Sequence, residues 1–307
     1  MDISFIIPTY NRMWCLDKAI SSCKDTNLKY EIIVIDDGST DDTNKWLRER
    51  QDIILISQAN QGKDWAVNSG FKHATGKYIR FLDSDDWVLP YSSDKLFKHA
   101  EQYNFDIVCA GFEIYSENEE FLYENKWIVC DDFLAQQLGE CDSSHYSAYL
   151  FKKQFIKNIP HRQEFGARDD RQFIIEVALK NPKTGFINEP SLAHRFHSIQ
   201  KLQTFDNFES CYHNLALLQI YKRTFKILSN ENRLSIRYIK AGSKVLWPLA
   251  HWVAKSHIKE AFHIVNWIYD LDPNFVIPEK GILKFMYRYL GFIRTERILR
   301  IRRAIKY

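Results

Sequence analysis

Glycine and proline are scarce in this chain of 307 residues, at 11 and 8, which excludes collagen-like repeats and Pro/Gly-rich low-complexity sequence. The six cysteines, Cys15, Cys23, Cys109, Cys130, Cys141 and Cys211, form no C-x-x-C pair. Neither a zinc knuckle nor a dithiol redox motif is therefore expected. No charged-then-apolar leader precedes the first strand-like run, so the thiols read as reduced and the protein as cytoplasmic. Long apolar runs are also missing. The longest, Val245 to Ala254, is broken by Pro248 and His251 and falls short of the roughly 20 residues a membrane-spanning helix needs. Charge of one sign is absent overall, since 42 Lys+Arg against 39 Asp+Glu leave only +3, unlike a uniformly basic nucleic-acid binder. What is present, 45% hydrophobic and 26% charged residues without an internal repeat, describes a globular chain. Its charge is unevenly placed: residues 280–307 carry nine basic side chains and one acidic one.

The first 115 residues alternate β-branched runs with longer amphipathic stretches, the pattern of βαβ units around a mostly parallel sheet. Strands are expected at Ile3–Pro8, Glu31–Asp36, Ile53–Ser57 and Tyr78–Leu82. Helices are expected at Cys15–Lys24, Asp41–Arg50, Asp64–His73 and Asp94–Tyr103. Each strand ends in a polar cluster, and ligands of open parallel sheets bind beyond the carboxyl ends of the strands. Asp106–Tyr115 and Phe121–Cys130 flank the acidic turn Ser116-Glu117-Asn118-Glu119 and read as a hairpin at the sheet edge. Residues 143–200 are mixed, with a helix expected over Asp169–Lys180. After Thr204 strand signals give way to helical spacing such as Leu215, Leu218, Tyr221 and Phe225. The expected division is thus an α/β domain over 1–204, with a nucleotide-binding half of about 1–115 and a second half of about 116–204, then a helical region over 205–307.

Asp83-Ser84-Asp85-Asp86 follows the fourth strand directly. Carboxylates two apart at a strand end present oxygens to one hard cation, and Mg²⁺ or Mn²⁺ held this way completes its shell with substrate phosphates. Alone, such a string reads rather as a solvated acidic turn capping the next helix. Tyr10, after strand one, offers a flat ring for a nucleobase, and Asp37, in the turn after strand two, offers an acceptor for a base N–H. Asp36 has a plainer role, holding its own turn through backbone hydrogen bonds.

In order, Phe5-Ile6-Ile7-Pro8-Thr9-Tyr10-Asn11-Arg12, Ile33-Val34-Ile35-Asp36-Asp37-Gly38-Ser39, Asn60-Gln61-Gly62 through Asn68-Ser69-Gly70, Gly76-Lys77-Tyr78-Ile79 and Asp83-Ser84-Asp85-Asp86 resemble the family 2 glycosyltransferases, across roughly residues 1–200. The resemblance implies the GT-A fold, a Rossmann-like α/β sheet flanked by helices, and makes 1–204 a catalytic domain with 116–204 as its acceptor half. It implies a nucleotide site of Pro8, Tyr10, Asn11, Asp37, Asn68, Asp83 and Arg195, with Tyr10 and Asp37 on uracil and Asp83 on the ribose. It implies a divalent metal, Mn²⁺ or Mg²⁺, on Asp85 and His197, and a catalytic base from an acidic pair before a helix, here Asp170 of Asp169-Asp170.

Three positions depart from the family pattern. Val67 stands where arginine is common, leaving Lys63 as the nearby positive charge; Asp169 replaces a glutamate; and His194 replaces a tyrosine in Leu192-Ala193-His194-Arg195-Phe196-His197. The Q-x-x-R-W string of processive synthases is absent, which favours transfer of a single sugar, hexosyl or N-acetylhexosaminyl, from a UDP-linked donor to a glycan or lipid-linked acceptor. Two alternatives stand beside this reading: a nucleotide-sugar-binding protein without turnover, and a nucleotidyltransferase. The latter class would show a Gly-rich phosphate loop after strand one, where Pro8-Thr9-Tyr10-Asn11 stands instead. The basic tail over 281–307 alternates apolar and cationic faces, which fits either an anionic membrane surface or a helix packed on its own domain.

Overall fold

The computed structural model describes residues 1–196 and 208–305, with the side chains of residues 167, 208–214 and 302–305 outside that description. The chain divides into two compact units, one of Met1–Phe133 with Asp142–Gln200, the other of Leu134–Cys141 with Lys201–Tyr307.

The first unit opens with β1 (Ile3–Thr9), α1 (Leu16–Ser22), β2 (Tyr30–Asp36), α2 (Thr43–Arg48), β3 (Ile54–Ser57), α3 (Lys63–His73) and β4 (Tyr78–Phe81). These strands pair in parallel in the order β3-β2-β1-β4. All seven residues of β1 are buried, as expected of a strand covered on both faces. Helix α3 seats on β1 and β2 through Gly70, where a Cβ would lie 2.5 Å from Ile35 Cδ1 and 2.7 Å from Ile6 Cγ2.

The chain continues through β5 (Trp87–Val88), α4 (Ser92–Tyr103), β6 (Ile107–Tyr115), β7 (Phe121–Asn125), α5 (Phe133–Gln137), β8 (Leu150–Lys152), α6 (Lys153–Ile156), α7 (Asp169–Leu179) and β9 (Thr184–Arg195). Here the sheet becomes mixed, running β4-β8-β6-β9-β5 with β7 beside β6. β6 and β7 do form the expected antiparallel hairpin, and it ends at Asn125 rather than Cys130. Its first strand lies inside the sheet, because Ile107–Phe112 is buried on both faces, whereas Phe121, Leu122 and Tyr123 of β7 are exposed. Strand β9 accommodates Pro190 at a break in its register with β6, where a missing N–H is tolerated.

Arg80 of β4 is wholly buried. Its guanidinium donates to Ser93 Oγ at 2.8 Å, Ser92 Oγ at 3.1 Å, Ser191 Oγ at 3.1 Å and the Ser147 carbonyl at 3.3 Å, all neutral acceptors. Burial without a carboxylate brings its pKa down to about 10. The cation thereby ties β4, α4 and β9 together beneath the site.

The second unit contains most of α5, with α8 (Phe208–Asn230), α9 (Ile236–Ala254), α10 (Ile258–Leu271) and α11 (Gly281–Ile305). Glu140, in the excursion of residues 134–141, forms an ion pair with Arg237 at 2.7 Å, and Tyr221 donates to the Leu138 carbonyl at 2.9 Å. Helix α11 breaks at Gly291, whose φ of 76° lies in the left-handed region. Tyr287, Phe292 and Glu296 are buried against the Trp247 and His251 rings, while Ile282, Phe285, Tyr289, Ile298 and Ile301 are exposed. Among the described residues, no helix is long and apolar enough to cross a membrane.

Candidate active site

The parallel strands β1, β2 and β4 deliver Tyr10, Asp37 and Asp83 to the same end of the sheet. Strand β5 then pairs antiparallel with β9, Trp87 opposite Ala193, which brings Asp86 alongside His194. The Asp86 carboxylate is buried and accepts from the Arg195 backbone N–H at 2.9 Å, with His194 Nδ1 at 3.1 Å from both its oxygens. Asp86 therefore does more than cap the following turn. Burial opposes a charge on His194, but the hydrogen bond and the charge of Asp86 raise its pKa above the ordinary histidine value.

Pro8 is buried in β1, and Tyr10 just beyond it leaves 44% of its surface exposed. Asn11, at φ 53°, ties the first loop to the second: Thr40 N donates to its Oδ1 at 2.7 Å, and its own N–H donates to Ser39 Oγ at 2.9 Å. Asp36 holds its turn as expected, accepting from Ser39 N at 3.2 Å. Asp37 is nearly as occupied. Its oxygens accept from Gln58 Nε2 at 2.7 Å, Gly62 N at 2.8 Å and Gln61 N at 3.0 Å, leaving about one of a carboxylate's four acceptor sites for a ligand. The loop it shapes ends at Gly62, whose φ of 100° suits glycine and starts α3 at Lys63.

Lys63 joins the two halves of the site. Its Nζ lies 2.6 Å from Asp83 Oδ1 and 3.0 Å from Asp170 Oδ2. Burial would discharge the lysine, yet Asp170 and Asp83 hold its pKa well above the ordinary value. Burial likewise would raise Asp83, while Lys63 and the imidazoles of His145 and His194 bring it below the usual carboxylate range. Asp170 Oδ1 is buried and has no hydrogen-bond partner among the described residues, an arrangement that demands an explanation in a polar site. Val67, one turn into α3, packs in the core, so on this helix the cation beside Asp83 and Asp170 is Lys63.

Asp169, expected alongside Asp170, is instead a framework residue. It is buried, meets His161 Nδ1 and accepts from the Arg162 N–H. Asn68, expected on the nucleotide, has both amide groups engaged by the His161 backbone, donating to its carbonyl at 2.8 Å and accepting from its N–H at 2.9 Å. Arg195, expected to balance phosphate, is 4% exposed. It donates to Glu119 at 2.7 Å and to the carbonyls of Glu117 and Asp85, and lies over the rings of Trp87 and Trp14. Its charge is met by the turn of the β6–β7 hairpin. His197 lies outside the described residues.

A divalent cation fits the donor set present. Asp85 keeps 21% of its side chain exposed, with Arg12 3.8 Å away. Next to it, Asp86, His145 and His194 gather ligand atoms within 4.8 Å of one another. Carboxylate with imidazole suits a borderline or hard divalent ion.

His145 and His161 were not singled out by sequence reasoning, and Tyr146, expected as an exposed aromatic of the acceptor region, is instead buried with its hydroxyl 2.8 Å from His161 Nε2. The signal for His161 was faint, since its role depends on a carboxylate eight residues further on.

Glycosyl transferase family 2 matches residues 4–162, and the chain belongs to this family. Among curated proteins, it is 30% identical over 248 residues to the GalNAc(5)-diNAcBac-PP-undecaprenol beta-1,3-glucosyltransferase of Campylobacter jejuni, covering 76% of each chain. It is 33% identical over 129 residues to Glycosyltransferase GlyA of Streptococcus pneumoniae, covering 39% of this chain and 18% of that protein. The chain thus spans under a fifth of GlyA's length. Among solved structures, S. aureus TarS in complex with UDP-GlcNAc superposes with a TM-score of 0.55 at 15% identity, covering all of this chain and 92% of that one. TarS has also been solved with UDP. The likeness establishes the GT-A type fold: a mixed sheet flanked by helices, followed by a helical region.

Proposed function

We propose that the chain is an inverting glycosyltransferase that moves one sugar from a nucleoside-diphosphate sugar, UDP-linked, to a glycan or lipid-linked acceptor. The observation that carries this reading is the Asp83–Lys63–Asp170 bridge with Asp170 Oδ1 left unpartnered. TarS with UDP-GlcNAc and the undecaprenol-linked substrate in the Campylobacter protein's name support the donor and acceptor classes.

In this reading Tyr10 stacks the base, the remaining acceptor site of Asp37 meets a base N–H, and Asp83 meets the ribose. The acceptor hydroxyl attacks the anomeric carbon from the face opposite the diphosphate. The new C–O bond forms as the bond to phosphate breaks, the hydroxyl proton passes to Asp170 Oδ1, and the nucleoside diphosphate leaves. Lys63, 3.0 Å from Asp170 Oδ2, keeps that carboxylate oriented for the transfer. Asp85, with an imidazole from the His145–His194 pair, would hold Mg²⁺ or Mn²⁺, which supplies neutralisation of the leaving diphosphate. Pro8 and Asn11 shape the loop under Tyr10, and Arg195 fixes the backbone at Asp85.

The exposed apolar residues of α11, with exposed Arg294, Arg297 and Arg300 beside Ile298 and Ile301, support a further part of the reading: this helix rests on an anionic membrane surface, where a lipid-linked acceptor resides.

A thermal-shift titration of UDP and UDP-GlcNAc with and without Mn²⁺ tests the donor assignment. Ligand at about 100 times its Kd stabilises by about 2.7 kcal/mol, a rise of a few degrees. Asp85→Asn is expected to remove the metal-dependent part while leaving the melting temperature of the free protein nearly unchanged. Absence of a shift with every nucleoside diphosphate would overturn the reading.

A further inference from the structure

A groove of about 800 Å³ runs along α3, bounded on its other side by residues 153–164. Helix α3 starts at the site, where Lys63 meets Asp83 and Asp170, and runs away from it. Asp64, Asn68 and Lys72, four residues apart, line the groove along one face. At about 1.5 Å per residue, Lys72 lies about 12 Å along the helix from Asp64.

The groove changes character along its length. Its inner end is formed by Asp64 and His161, which adjoin Asp169, the residue before Asp170. Asp64 is buried, and burial together with the neighbouring Asp169 pushes its carboxyl up to about 8. In the middle, Trp65 exposes 47% of its surface, and its indole N–H donates to Gln163 at 3.0 Å, which fixes the ring. At the outer end stand Lys72, Lys153 and Lys157. Among the described residues, Lys72 and Lys157 are exposed and form no ion pair, and the Lys153 ammonium donates to the Ala74 carbonyl. A cleft with one sign of charge at its end attracts an anion, and an ammonium serves phosphate as a point charge. The volume suits a ligand of several rings.

We propose that this groove is the acceptor site and takes a glycan bearing a phosphate or diphosphate, with a sugar against Trp65 and the anionic group among Lys72, Lys153 and Lys157. The proposal rests on the transferase reading, because the inner-end residues Asp64 and His161 meet Asp169, the residue before Asp170 in α7, and that adjacency is what makes the groove's ligand an acceptor. The anionic group then lies about one helix length from the hydroxyl that reacts, which selects acceptors whose phosphate is separated from the growing end by a short oligosaccharide.

The test uses the full chain saturated with UDP, so that the donor site is filled. N-acetylglucosamine 1-phosphate is titrated while tryptophan emission is read, beside two arms: methyl N-acetylglucosaminide, which lacks the phosphate, and inorganic phosphate, which lacks the sugar. The expected result is a change in emission that disappears in Trp65→Phe, and binding at least tenfold tighter than in either arm. The Lys72→Glu/Lys157→Glu variant, with both changes at exposed positions, is expected to bind the sugar phosphate at least tenfold more weakly with UDP affinity unaltered. Equal binding by that variant, a response that persists in Trp65→Phe, or a sugar phosphate no tighter than inorganic phosphate would each overturn the groove assignment. A UDP titration run alongside separates the two readings: its failure rejects the donor site, while the sugar-phosphate titration still decides the groove.

Discussion

Lys63 holds two carboxylates that the proposed reaction uses differently, Asp83 for the donor and Asp170 for the acceptor proton. Asp170→Asn retains size and cannot accept the proton, so kcat is expected to fall about 10²–10⁴-fold with UDP affinity little changed. Lys63→Met removes charge-assisted hydrogen bonds to both, each worth about 1.5–3 kcal/mol. Both kcat and the donor KM are therefore expected to worsen by about tenfold or more, with partial rescue by Lys63→Arg. Steady-state kinetics on the three variants decide this, and an unchanged donor KM in Lys63→Met would remove Asp83 from the argument. Asp169→Asn is expected to act elsewhere. It disturbs the buried contacts to His161 and Arg162, so the melting temperature falls before kcat does. From sequence, Asp169 and Asp170 differ only by one step in a first helical turn. Their separation into framework and site comes from His161, which no local pattern connects to them.

At the scale of elements, α3 acts as a rod aimed from the sheet at the site. Its position depends on Gly70, where any Cβ meets Ile35 and Ile6. Gly70→Ala is expected to cost about 1–3 kcal/mol through overpacking, and, by lifting the helix, to weaken donor binding through Lys63. A denaturation midpoint equal to wild type would show that α3 tolerates a looser seat. The parallel half of the sheet was readable because its strands are β-branched runs separated by amphipathic helices, and the periodicities 2 and 3.6 are distinct there. Strand β9 was not readable, since Asn188, Glu189 and Pro190 interrupt it, and only pairing with β6 makes it a strand. Two-residue β5 carries no periodicity at all, yet it aligns Asp86 with His194. The motif loops were legible in identity. That Asn68, Asp37 and Arg195 also brace the site became visible only with the neighbours that tertiary structure supplies.

At the scale of the whole molecule, α11 has one face buried on the second unit and another exposed. Deleting residues 281–307 would strip Tyr287, Phe292 and Glu296 from that unit's interior, so substitution is the cleaner probe. Arg294→Glu/Arg297→Glu/Arg300→Glu is expected to abolish binding to anionic liposomes at low salt, because each basic residue near such a surface contributes about 1 kcal/mol. High salt should mimic it by screening. Wild-type protein that ignores anionic vesicles at low salt would make α11 a packing helix alone. The excursion of residues 134–141 has a different consequence. Because the chain enters the helical unit, leaves it and returns, the boundary near residue 200 is not a seam along which the protein comes apart. A protease site engineered into residues 197–207 would cut one polypeptide into two fragments, the first still carrying Leu138 and Glu140, which Tyr221 and Arg237 of the second hold. Cleaved protein is expected to run as two bands under denaturing conditions and to elute as one particle under native ones, so that two separately made pieces, 1–200 and 201–307, behave as complementing halves of one enzyme rather than as independent modules.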